Sequence, residues 1–286
     1  MVYKPASLEA AQQDAERIVK RSGTSFYWAM RLLPPEKRTA MYAVYAFCRV
    51  VDDIADDPGK PDDKRKALGD WKSEIDLIYQ GKPETSVGIA LVPHITTFGL
   101  RKEDFLAVIE GMEMDAGESV RIRTMEELLT YCDRVACAVG RLSNRVFGVE
   151  DPMVDTCAKV LGEALQLTNI LRDIADDAAI NRVYLPADRL AAAGVRYQDP
   201  MEIVNADGVG TVCEELAHMA RERFVAAETA LGESETRQVK PAAIMMHMYA
   251  RVFAKLEQRG WKRLHTPVRL TKLEKLWIAV RFGVFS

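Results

Sequence analysis

Apolar residues recur every three or four positions along most of the chain, the period of an amphipathic helix. Ser7 is placed to cap a helix running to about Arg21, with Gly23 closing it. Pro34 and Pro35 suit the first turn of the next helix, which reads EKRTAMYAVYAFCRVVDDIAD and stops near Pro58 and Gly59. The same period predicts helices over 61–80, 87–98, 101–117 and 124–147, the last opened by a capping box of Thr124 and Glu127. A long helix over 152–178 and a short one over 187–193, stopped by Gly194, follow. Helices over 208–231, 237–259 and 271–282 complete the chain. No stretch alternates apolar and polar residues between turn signals, so the fold class predicted is all-α. The Gly-Lys-Pro segments at 59–61 and 81–83 are short loops rather than linkers, and residues 1–286 read as one domain, a helical bundle.

Within this pattern one string occurs twice. Asp-Ile-Ala-Asp-Asp stands at 53–57 and at 173–177, each time at the C-terminal end of a long apolar helix. Asp52 and Asp56 are four apart, as are Asp53 and Asp57, and Asp173 and Asp177. Residues so spaced share a helix face, and two carboxylates there repel each other. They also lie where the helix dipole disfavours negative charge. Divalent cations remove both costs. Magnesium takes hard oxygen ligands, held by one or two carboxylates together with substrate phosphates. Gln166, Asn169, Asp173 and Asp177 form one polar stripe on an otherwise apolar helix, which is costly to bury without partners. A metal-lined cavity explains the stripe; a solvated face is the plain alternative. No EF-hand loop follows either acidic string. Arg172 and Arg182 are candidates to meet diphosphate oxygens, though lone arginines are more often surface residues.

Composition narrows the choice. Hydrophobic residues make up 48% of the 286, enough for a large core, and the net charge of −3 gives no reason to expect a nucleic-acid partner. An anionic substrate then needs bound cations or a local positive patch. The five cysteines include no C-x-x-C pair and read as reduced, mostly buried thiols of a cytoplasmic protein. No apolar run reaches the length of a membrane span. A di-iron centre would need two Glu-x-x-His elements, and the chain has one, Glu215 to His218.

Three long motifs resemble the squalene and phytoene synthases, trans-type head-to-head prenyl synthases. They are SFYWAMRLLPPEKRTAMYAVYAFCRVVDDIADD, YCDRVACAVGRLSNRVFG and QLTNILRDIADDAAINRVYLP. SFYWAMRLLP, GMEMD, VACAVGRLSNRVFG and NILRDIADD are most similar to the bacterial presqualene diphosphate synthases of hopanoid pathways. The resemblance implies one helical bundle, the isoprenoid synthase fold, with an Asp-rich motif on each wall of a central cavity. It implies magnesium, replaceable by manganese, held by Asp52, Asp56, Asn169, Asp173 and Asp177. Spacing alone would equally allow the frame of Asp53 and Asp57. By the same resemblance, Arg49 and Gln166 contact the diphosphates or their metals, and Ser25 and Phe26 belong to a segment capping the site. Tyr45, Tyr131, Tyr184 and Tyr249 are cavity aromatics, while Val135, Val139 and Gly140 form a wall for a prenyl tail. The implied reaction joins two farnesyl diphosphates into presqualene diphosphate without NADPH; squalene, dehydrosqualene and phytoene are the alternative products. The arginine-rich stretch that many relatives carry before the last helix is interrupted here by His265, Thr266 and Pro267, leaving Arg263 or Arg269 as substitutes. The last helix, with Trp277 and Phe282, is expected to pack on the bundle, with a membrane surface as the alternative. Downstream pathway enzymes are the other conceivable partners.

Overall fold

The computed structural model describes residues 7–24, 26–31, 33–149, 152–196, 198–232 and 240–283. The predicted periodicity becomes helix almost throughout. Helix α1 (Leu8–Arg21) starts where Ser7 Oγ accepts the Ala10 amide at 3.2 Å. A short α2 (Phe26–Arg31) precedes α3 (Pro35–Asp56), α4 (Pro61–Tyr79), α5 (Ser86–Thr97) and α6 (Lys102–Asp115). Then come α7 (Met125–Cys132), α8 (Ala138–Phe147) and α9 (Met153–Ala179). The chain closes with α10 (Ala187–Ala192), α11 (Pro200–Val204), α12 (Val209–Gly232), α13 (Lys240–Arg259) and α14 (Lys272–Gly283).

Three features depart from the pattern read off the sequence. The segment predicted as one helix over 124–147 carries a wider π-helical turn at Asp133–Cys137, between α7 and α8. Such turns insert a residue and re-aim the side chains around them. Strands β1 (Val120–Arg121) and β2 (Arg182–Val183) pair in parallel, with Val120 opposite Arg182. Two residues a strand are too short to show alternation. The short helices α2 and α11 hold too few turns for a period to be read.

Helix α9 runs through the middle of the bundle, packed against α8, α12 and α13. One apolar cluster joins α1, α3, α5, α6 and α8, and another joins α9, α12 and α13. Helices α8 and α9 are antiparallel and unusually close. A Cβ added at Gly162 would stand 2.8 Å from backbone atoms of Cys137, and one at Gly140 would stand 3.1 Å from Ala158 Cβ. Of the five free cysteines, Cys132, Cys137, Cys157 and Cys213 are buried. No helix among the described residues is long and apolar enough to cross a membrane.

Candidate active site

The first acidic wall is the last turn of α3. Arg49, one turn earlier, reaches forward to it, with Nη1 3.0 Å from Asp52 Oδ2 and Nη2 on Asp53. Burial pushes the Asp52 carboxyl up to about 6, repulsion from Asp56 adds to the shift, and Arg49 opposes it. Asp57 lies past the helix as its C-cap, its amide donating to the Asp53 carbonyl. The helix end itself is met by cations: Lys64 Nζ and Arg182 Nη2 both donate to the Ala55 carbonyl, at 2.7 and 3.2 Å. Positive charge there offsets the helix dipole.

The second wall lies on α9. Asn169, Asp173 and Asp177 follow one face of the helix. Arg172 grips the neighbouring Asp173 through two contacts of 2.8 and 2.6 Å and also meets the Tyr249 hydroxyl. Burial pushes the Asp177 carboxyl up to about 7, Asp173 adds to it, and Arg182 pulls the other way. Asn169 Nδ2 donates to Gln166 Oε1 at 3.3 Å, while its Oδ1 is buried without a partner. A buried amide oxygen left unmatched is costly and marks a place for a ligand.

Arg182 ties the walls together. Its Nη1 donates to Asp56 Oδ1 at 2.7 Å on the α3 side, and its charge acts on Asp177 on the α9 side. Between them sits Asp115, the last residue of α6, only 5% exposed. Tyr131 and Tyr184 donate to its two carboxylate oxygens, each at 2.8 Å, and their rings stack at 4.9 Å. Burial raises the Asp115 carboxyl to about 6 against the pull of both hydroxyls. The two acidic strings therefore share one electrostatic neighbourhood. Asp115 went unassigned in the sequence, although it closes GMEMD, one of the motifs that carry the resemblance.

Below the walls a cavity of about 200 Å³ runs between α8 and α9. Its lining joins Phe26, Val135, Val139, Gly140, Gln166, Asn169 and Tyr249, all singled out from sequence, with Leu161, Leu165, Ala242 and Met245 completing an apolar surface. The π turn places Val135 and Ala136 together on this wall. Other residues singled out from sequence lie outside this lining. Tyr131 and Tyr184 are not in the cavity lining; their hydroxyls are committed to Asp115. Tyr45 is also absent from it, its hydroxyl donating to Ser22 Oγ at 3.1 Å. Arg263 and Arg269 are exposed and do not line the cavity. Ser25 lies outside the described residues.

The donor set suits magnesium in kind. It offers carboxylates that burial makes reluctant to stay charged alone, plus one orphaned amide oxygen. Among the described residues no three His, Cys, Asp or Glu side chains already converge on one point. Arginines hold the acids instead, with Arg49 on α3 and Arg172 on α9.

Acidic helix ends facing one another above an apolar cavity, in a bundle of antiparallel helices, define an isoprenoid synthase fold. The family description Squalene/phytoene synthase matches residues 19–274. A presqualene diphosphate synthase of Sinorhizobium fredii is 42% identical over 262 residues, 92% of this chain and 94% of the relative. A 15-cis-phytoene synthase of Synechococcus elongatus is 32% identical, over 92% of this chain and 90% of its own. A solved dehydrosqualene synthase in complex with a ligand superposes with a TM-score of 0.81 at 25% identity, covering 97% of each chain. The chain belongs to the squalene/phytoene synthase family.

Proposed function

We propose that the protein joins two farnesyl diphosphates head to head, releasing one diphosphate and forming presqualene diphosphate. The carrying observation is the apolar cavity that ends in Gln166, Asn169 and Tyr249 beneath two acidic walls bridged by Arg182. The 42% identity to a presqualene diphosphate synthase, against 32% to a phytoene synthase, favours the thirty-carbon product.

Asp52 and Asp56 on one wall, with Asn169, Asp173 and Asp177 on the other, would hold magnesium or manganese. The bound ions supply positive charge to the diphosphates and to the one that leaves. The residues of the chain do the rest. Arg49, Arg172 and Arg182, now paired with acids, become available to diphosphate oxygens once the acids are neutralised. The first substrate's C1–O bond breaks, its electron pair leaving with diphosphate. The second substrate's C2–C3 double bond attacks that C1, and loss of a proton closes the cyclopropane. The departed diphosphate, beside Arg172 and Tyr249, accepts the proton. The apolar wall of Val135, Val139, Leu161 and Leu165 keeps water from the allylic cation. Phe26, on α2, lines the same space.

The test is incubation with labelled farnesyl diphosphate and magnesium, with and without NADPH, followed by mass analysis. A thirty-carbon diphosphate formed without NADPH supports the assignment. A forty-carbon hydrocarbon from geranylgeranyl diphosphate, with farnesyl diphosphate untouched, overturns it.

A lipid surface is the second part of the proposal. Helix α14 buries Ile278 against α13 but leaves Leu273, Leu276 and Trp277 at least 61% exposed. Lys272, Lys275 and Arg281 flank that stripe, the pattern of a helix lying on an anionic membrane. Ile278 belongs to the apolar cluster that also takes in Phe26 and Tyr249, both cavity residues, so the prenyl tails of the product would leave beside the bilayer. Co-sedimentation with anionic but not zwitterionic vesicles, lost in Trp277→Ser, is expected. Lipid-independent dimerisation through this face would refute it.

A further inference from the structure

The cavity has a floor, and its position points to the length of chain it accepts. Cys137 faces Gly162, Gly140 faces Ala158, and Asn144 Nδ2 donates to the Val154 carbonyl at 3.2 Å. These pairings descend α8 and α9 in opposite directions, so the end of the cavity farthest from Asn169 is lined by Asn144, Phe147 and Cys157. From Asn169 to Cys157 the α9 axis rises about 18 Å, on the order of an extended fifteen-carbon prenyl diphosphate.

Phe147 is the bulkiest group at that end and is 4% exposed. Its backbone is fixed from two sides. Lys37 Nζ, on α3, donates to the Phe147 carbonyl at 2.6 Å. Gly148 follows at φ 85°, a left-handed cap that ends α8 at this point. A ring carried on so firm a base cannot yield to a longer tail by sliding the helix. Shortening the side chain would instead leave a void that the surroundings fill only in part.

We infer that Phe147 is the chain-length stop of the cavity, admitting a three-unit prenyl chain and excluding a fourth unit by collision with its ring. The inference rests on the prenyl diphosphate reading above. It assigns Phe147 a part in selectivity that the acidic walls cannot have, since they meet the same diphosphate whatever the tail.

The test compares the wild type with Phe147→Ala and Phe147→Leu, using farnesyl and geranylgeranyl diphosphates with magnesium. Affinities for the non-ionising thiolodiphosphate analogues are measured beside turnover. In Phe147→Ala the geranylgeranyl-to-farnesyl ratio of kcat/KM should rise at least about tenfold, since even one methylene changes such ratios by that much. Phe147→Leu should shift it the same way by less, and it carries the test should the alanine variant not fold. Cys157→Leu, which adds bulk beside the stop, should weaken the farnesyl analogue relative to the ten-carbon geranyl one. Folded variants with wild-type ratios would overturn the stop while leaving the proposed reaction intact. A wild type inert towards farnesyl diphosphate would overturn the reaction instead, and the analogue affinities would still report the stop.

Discussion

The two copies of Asp-Ile-Ala-Asp-Asp are identical in sequence and different in circumstance. At the end of α3 the helix stops within the motif, and its last carbonyls meet Lys64 and Arg182. At the end of α9 the helix continues two residues past Asp177, so that acid stays inside the helix with less relief. Asp177 is pushed up to about 7, whereas Asp52, pushed up to about 6, stands one residue before the α3 copy, where the α9 copy has Arg172. The α3 motif sits opposite Arg49, one turn earlier on its own helix; the α9 motif depends on Arg172 beside it and on Arg182 from the following strand. A repeated motif thus announces shared chemistry, while the neighbours decide how each copy is held without its cations.

The largest test of this contrast removes one acid from either wall. Asp52→Ala and Asp173→Ala should each lower turnover by more than about a hundredfold, the scale of losing a preorganised electrostatic contact, with helical circular dichroism unchanged. Full activity in either variant, or in EDTA, would remove the metal argument. Next comes the bridge. Arg182→Ala leaves Asp56, Asp115 and Asp177 without their common cation, and should cost about 2 kcal/mol in the metal-free protein, read by urea unfolding. Saturating magnesium should recover part of that loss; an equal loss with and without magnesium would mean the arginine is merely structural.

A smaller effect concerns pH. The folded-state carboxyls of Asp52, Asp115 and Asp177 lie above their ordinary values, so the folded protein binds more protons than the unfolded one between about pH 4 and 7. The stability these groups contribute is therefore complete at low pH and is lost as pH rises through about 6 to 7. Metal-free protein should melt a few degrees higher at pH 5 than at pH 8 on their account, and Asp177→Asn should flatten the slope more than Asp52→Asn. Equal slopes in both variants would erase the difference between the walls. The smallest change is Tyr131→Phe, which removes one of two donors to Asp115 and should cost about 1 kcal/mol in a thermal melt.

Much of the site follows from helical spacing. Gln166, Asn169, Asp173 and Asp177 had to share a face, whereas Val135, Val139 and Gly140 came through the resemblance, since Val135 and Gly140 are five apart and a π turn lies at Asp133–Cys137. Phe26 and Tyr249 reached the same cavity through a resemblance of motifs, because nothing local ties α2 to α13. Contacts between distant segments stayed hidden for the same reason. Tyr131, Tyr184 and Asp115 meet across 16 and 69 residues of chain. No period in α7 shows that its tyrosine serves an acid at the end of α6. The π turn was equally unreadable, since one inserted residue leaves the apolar pattern nearly intact. The frame of the first motif stays shared in the structure, with Arg49 touching both Asp52 and Asp53, although Asp57 is set apart as the cap.

The close approach of α8 and α9 at Gly140 and Gly162 has a consequence for how such a pocket could change. Backbone meets backbone there, so any side chain would wedge the two rods apart and open the bundle. Girth is therefore set by main chain and is hard to alter by single substitutions. Depth is set by replaceable side chains, which leaves lineages free to experiment with how long a molecule they hold, and far less free with how thick.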